Sequence, residues 1–240
     1  MYKSVVACLF LFSGFAYASV ENKEFSADGL KSLVVENTSG EVRVSVSSDG
    51  KVYVAADKIE FEKNCTLTVD KSGKELIAKV EQKGWFNSDS CKVNFEIKVP
   101  KTVALDLKSG SGDLFVTGTK GKVDVKVGSG DIKVDADVDQ LDGKSGSGSI
   151  EVTGLLGNAA VKTGSGTVTL SYKSAPSKGE LDIKTGSGNA TVFFPSTTKV
   201  MTDFKAGSGK VYNELGDTSD ASFRISMKAG SGNLKIKKLQ

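Results

Sequence analysis

Seven lysines recur at a fixed distance ahead of a Gly-Ser-Gly triplet. Lys108, Lys126, Lys144, Lys162, Lys184, Lys205 and Lys228 each stand two residues before its first glycine. Two residues earlier again, Asp106, Asp124, Asp142, Asp182 and Asp203 fill five of the seven units, while Ala160 and Ser226 replace the acid in the others. If the units stack, neighbouring ammonium groups ~4.8 Å apart repel by about 0.9 kcal/mol per pair in a water-like dielectric. An adjacent aspartate column offsets much of that, giving a ladder of cross-strand ion pairs that also fixes register. The chemistry open to such a column is binding: it is a candidate polyanion-binding stripe, each contact weak and salt-screened, many together giving avidity. Positive potential is expected to peak at Lys162 and Lys228, where the acid is missing.

Catalytic chemistry has little to stand on. The 240 residues include no histidine, so there is no Ser-His-Asp or Cys-His arrangement and no ordinary general base near neutral pH. Gly-Ser-Gly is not a phosphate loop, because no Gly-Lys-Ser/Thr follows it and no helical pattern starts after it. The calcium-binding β-roll also repeats in nonapeptides. Here, however, the acid after the corner occurs only at Asp113 and Asp131, and Ser149, Thr167, Asn189, Lys210 and Asn233 follow in later units. A polysaccharide-active enzyme needs carboxylates or basic groups clustered in a groove, whereas these form even ladders. A non-enzymatic protein with no metal and no cofactor is expected.

Residues 1–18, MYKSVVACLFLFSGFAYA, carry one charge at Lys3, then an apolar run, and end in Ala16-Tyr17-Ala18. That is the pattern of a signal peptide with a small-x-small cleavage site. The run is short for a membrane span and no later stretch is as apolar, so no transmembrane segment is expected in the mature chain. Loss of Lys3 takes the formal net charge from +3 to +2. With Cys8 removed, Cys65 and Cys91 are an even pair in an oxidising compartment, which points to a disulfide.

The elements that must position the lysines follow from the repeat. The nonapeptides KSGSGDLFV, KVGSGDIKV, KSGSGSIEV, KTGSGTVTL, KTGSGNATV, KAGSGKVYN and KAGSGNLKI are spaced by 18, 18, 18, 22, 21 and 23 residues. A period this short means a solenoid, whose units stack because none buries its apolar face alone. Apolar residues alternate with polar ones on both sides of the corner. Val123 and Val125 stand before it, Ile132 and Val134 after it, with equivalents in the other units. This is the period-2 signature of a strand with one buried face. Each unit therefore reads as strand, glycine corner, strand and variable corner, stacking in chain order. The fold class is all-β, a parallel β-helix (β-solenoid), with regular repeats over 101–240.

Residues 19–100 are strand-rich but less regular. The run 33–46 matches the repeat at Ser39-Gly40, Val42 and Val44 and reads as a degenerate first rung. Strands are expected at 52–57, 65–70, 75–81 and 91–100, with a hairpin turn at Lys71-Ser72-Gly73-Lys74. Trp85 and Phe86 are expected to cap the solenoid's end, a binding site there being the alternative.

The segments Asn37-x-Ser39-Gly40-x-Val42-x-Val44 and Ile97-x-Val99-Pro100, a signal peptide and tandem SGSGD-I-x-V units together resemble the putative-adhesin family of bacterial β-strand repeat proteins, which is related to auto-transporter adhesin heads. The resemblance implies a single-stranded right-handed β-helix in an exported protein and supplies no catalytic or binding residues. The expected function is a structural or adhesive module of the cell envelope, periplasmic or at the surface. The alternative is a binding protein for acidic glycans or anionic lipid headgroups through the lysine column. Expected partners are envelope polysaccharide, anionic lipid headgroup or another envelope protein. Nucleic acid is not among them, because the net charge is small and the lysines alternate with carboxylates.

Overall fold

The computed structural model describes residues 19–84 and 90–239. The expected leader 1–18 and the expected aromatic cap at Trp85 and Phe86 lie outside the described residues. Among those described, every regular element is a strand and none is a helix. The first part supplies β1 (Ser19–Ser26), β2 (Ser32–Ser39), β3 (Val42–Val46), β4 (Lys51–Phe61), β5 (Cys65–Ser72), β6 (Glu75–Gln82) and β7 (Cys91–Val99). The repeats supply β8 (Ala104–Ser111), β9 (Leu114–Ser129), β10 (Ile132–Ser147), β11 (Ile150–Ser165), β12 (Val168–Tyr172) and β13 (Gly179–Ser187). They continue through β14 (Ala190–Phe194), β15 (Val200–Ser208), β16 (Val211–Asn213), β17 (Phe223–Ser231) and β18 (Leu234–Lys238).

Units stack as parallel rungs in the register that the repeat dictates. Leu105 pairs with Val123, Val123 with Leu141, Leu141 with Ala159 and Ala159 with Leu181. Lys108, Lys126, Lys144, Lys162 and Lys184 pair along the same ladders. A one-residue slip would turn every valine outward and every lysine inward, so burial of one face locks the alignment. Val123, Val125, Ile132 and Val134 are buried as the alternation requires.

Chain order and stacking order part company at both ends. The degenerate rung β2–β3 lies second in the stack. It pairs on one side with β8 and the start of β9, and on the other with β6 and β7. At the far end β13 pairs with β17 rather than β15, and β17 then pairs with β15. Strands β14, β18 and β16 repeat this order. The expectation that the last units stack in sequence is thus corrected: the C-terminal unit is inserted between the two that precede it. The burial explains why. Ile225, Met227, Leu234 and Ile236 of the inserted unit are 0% exposed, whereas Val211, the equivalent of Leu234 in the unit left at the end, is 37% exposed. The unit with Thr202 and Asn213 at inward repeat positions has the poorest apolar face, so it gains least from a second neighbour.

Side chains just past the corner report the same order. Asn94 Oδ1 accepts from the backbone N–H of Glu41, Asp113 Oδ1 from Asp131 and Asp131 Oδ1 from Ser149. Asn189 Oδ1 accepts from Asn233, and Asn233 Oδ1 from Lys210. Each acid or amide satisfies a donor on the next rung that would otherwise go unpaired. Lys210 sits on the last rung, where no further donor needs an acceptor.

The opposite end is covered by antiparallel strands, β5 against β6 and β4 against β7, with β1 outside β4. The hairpin expected at Lys71–Lys74 joins β5 to β6. Cys65 opens β5 and Cys91 opens β7, and they are disulfide-bonded with Cα atoms 5.6 Å apart and a sequence separation of 26. The bond ties the covering strand β5 to the first rung. Reduction is expected to cost about 3 kcal/mol in the chain-entropy account of loop closure, read as a lower urea midpoint with dithiothreitol than without. An unchanged midpoint would contradict that role.

Candidate polyanion-binding trough

The lysine column owes its position to the alternation of the strands that end at each Gly-Ser-Gly corner. Apolar or small residues such as Val125 and Val127 point inward and Lys126 points outward; the next outward position is Gly128. That position has no side chain for a reason. A Cβ on Gly128 would lie 2.5 Å from the carbonyl oxygen of Gly110, and one on Gly230 2.6 Å from that of Gly186. Main chain sits where the side chain would go, so the column stays glycine and leaves a depression beside the lysines.

The result is an open trough of about 900 Å³ running across six rungs. Lys126, Lys144, Lys162, Lys184, Lys228 and Lys205 form its rim, and Gly128, Gly146, Gly164, Gly186, Gly230 and Gly207 lie in its floor. Two inward hydroxyls bond main chain at the corner. Ser145 Oγ donates to the carbonyl of Gly130, and Thr163 Oγ1 donates to that of Ser165. Lys108 occupies the same register position on β8 but does not line the trough.

The lysines are not equivalent. Lys108 Nζ lies 3.1 Å from Asp106 and 3.7 Å from Glu36, Lys144 2.9 Å from Asp142, and Lys184 2.7 Å from Asp182. Lys205 lies 3.7 Å from Asp203. The hydrogen bond to Asp106 raises the pKa of Lys108 above the usual lysine range against the opposing effect of partial burial. Lys126, Lys162 and Lys228 make no ion pair among the described residues. For Lys162 and Lys228 the cause is visible in the sequence, in Ala160 and Ser226. For Lys126 it is not: Asp124 pairs 2.9 Å away with Lys122, a residue the sequence reading passed over. The signal was the placing of Lys122 and Lys126 two residues either side of one acid.

Nothing else in the described residues gathers chemistry of comparable extent. No three Cys, Asp or Glu side chains among them are grouped as metal ligands, and no helix is long and apolar enough to cross a membrane.

An all-β stack of glycine-cornered rungs with a long lysine-rimmed face defines a class of repeat scaffold. More narrowly, the chain belongs to the family described as "putative auto-transporter adhesin, head GIN domain", whose model matches residues 32–214. Two solved structures share its fold. One, titled a putative adhesin from Bacteroides fragilis, has a TM-score of 0.50 at 12% identity, covering 92% of this chain and 97% of its own. The other, titled a putative lipid binding protein from Parabacteroides distasonis, has a TM-score of 0.50 at 16% identity, covering 93% and 98%. No curated protein matches the chain.

Proposed function

We propose that this protein is an exported, non-enzymatic adhesive module of the bacterial cell envelope that holds a linear polyanion along the lysine trough. In this reading residues 1–18 are a cleaved signal peptide. Residues 19–100 are a disulfide-tied, less regular N-terminal part continuous with the repeats of 101–240, which form a single-stranded right-handed β-helix. The observation that carries the function is the trough itself, continuous over six rungs and rimmed by a lysine on each. Its adhesin family and the bound cysteine pair support a role outside the cytoplasm, where disulfides persist. An acidic envelope polysaccharide fits better than lipid headgroups, because the charges follow one line instead of spreading over a plane. One structural neighbour is titled a lipid binding protein, so anionic vesicles belong in the test.

Retention of the mature protein on immobilised hyaluronan or heparin is expected to fall steeply with salt. The variant Lys162→Glu/Lys228→Glu should lose at least about tenfold in affinity, since each exposed charge contact is worth up to about 1 kcal/mol and reversal adds repulsion. Its melting temperature should stay within a few degrees of the parent. Equal retention of variant and parent at low salt would contradict the reading and leave the lysines a structural ladder. Retention by anionic vesicles alone would move the function to a lipid surface.

A further inference from the structure

The rung order gives the trough a charge pattern that the chain order conceals. Along the stack the lysines run Lys108, Lys126, Lys144, Lys162, Lys184, Lys228 and Lys205. Their ion-pair states alternate along that line: Lys108, Lys144, Lys184 and Lys205 are paired with Asp106, Asp142, Asp182 and Asp203. Lys126, Lys162 and Lys228, which stand between them, make no ion pair among the described residues. Read in chain order the pattern breaks, because Lys184 and Lys205 would be paired neighbours. Insertion of β17 between β13 and β15 restores it.

We propose that the trough selects a linear acidic polysaccharide carrying one anionic group on every second sugar, in preference to one charged on every sugar. This rests on the reading of the trough as a polyanion site. Uncompensated ammonium groups recur at ~9.6 Å intervals, twice the strand spacing. In an extended glycan each hexose advances by about one strand spacing, so a disaccharide repeat spans two rungs. An anion opposite Lys162 or Lys228 meets a cation whose unit carries Ala160 or Ser226 in place of the acid, and one opposite Lys126 meets a cation whose neighbouring Asp124 is engaged 2.9 Å away by Lys122. An anion opposite Lys144 or Lys184 meets a lysine already held by Asp142 or Asp182, and therefore also a like charge at short range. The intervals are about one Debye length at physiological salt, so the unpaired sites act as separate positive points rather than as a smeared line. A uniformly charged polymer must set half its carboxylates against aspartates. An alternating one sets neutral sugars there, over a floor of glycine main chain.

The test is isothermal titration of the mature protein with two oligosaccharides of equal sugar number. Hyaluronan oligomers carry one carboxylate per disaccharide, and oligogalacturonate carries one per sugar. The alternating oligomer should bind at least tenfold tighter although it has half the charge. The variant Asp142→Ala/Asp182→Ala frees the intervening lysines and should shift the ratio toward oligogalacturonate by tenfold or more. The variant Ala160→Asp/Ser226→Asp supplies the missing acids and should weaken hyaluronan binding by a similar factor. Melting curves check that each variant is folded. If the parent binds oligogalacturonate as tightly or tighter, or if the aspartate deletions leave the ratio unchanged, selection by alternation is overturned while the polyanion site stands. If neither oligomer binds, both fail.

Discussion

Gly148→Ala should destabilise the protein by about 4 kcal/mol or more, or prevent folding, because two separate penalties fall on one methyl group. Gly148 has φ +135, a conformation that L side chains rarely adopt, and its Cβ would run into the carbonyl of Gly130 on the neighbouring rung. The obstacle is main chain held in a ladder on both sides, so no rotamer change relieves it. Gly50→Ala is the control. It also has positive φ, at +73, but nothing lies within 4 Å of its Cβ, so only the backbone term of about 1–2 kcal/mol remains. Urea denaturation of the two variants separates the terms. Equal losses would show that close approach of the neighbouring rung is not what keeps this corner glycine.

The second large effect tests the inserted rung. Ile225→Ala/Ile236→Ala should cost at least about 5 kcal/mol, as two fully buried truncations in a rung packed on both sides. Phe204→Ala/Val211→Ala should cost no more than about 2 kcal/mol despite the larger side chain lost. Phe204 is only partly buried and Val211 is 37% exposed, and among the described residues their rung pairs with a neighbour on one side. A stack in chain order would reverse the two results, with the C-terminal residues at an open end. Denaturant midpoints of the two double variants therefore report which order the protein adopts.

Much of this was legible in the sequence because a period-2 pattern on both sides of a fixed corner leaves one register. Val123 and Val125 could only face in, and Lys126 and Lys144 could only face out. The exchange of the last two rungs was not read, although the sequence carried a sign of it. Thr202 and Asn213 mark the unit that gains least from a second neighbour, and the longer intervals flanking it supply chain for the crossing. The post-corner Asp113, Asp131, Asn189 and Asn233 were too irregular a set for a calcium repeat and had no other role in the sequence reading. Their role as acceptors for the next rung's N–H needed the stacking order to be known. Lys162 and Lys228, where the sequence lacks the acid, make no ion pair among the described residues. Lys126 joined them through a choice Asp124 makes between two lysines at equal sequence distance, which sequence symmetry leaves open.

The most direct measurement of the trough's role is a lysine footprint. The mature protein is briefly acetylated at low salt, with and without a saturating hyaluronan oligomer, and each lysine's reactivity is read by mass spectrometry. Lys126, Lys162 and Lys228 should be protected several-fold by the oligomer. Lys133, Lys199 and Lys235, whose positions lie outside the trough, should keep their reactivity. Protection that falls on those outer lysines, or is absent from all three of the trough's unpaired ones, would contradict the account.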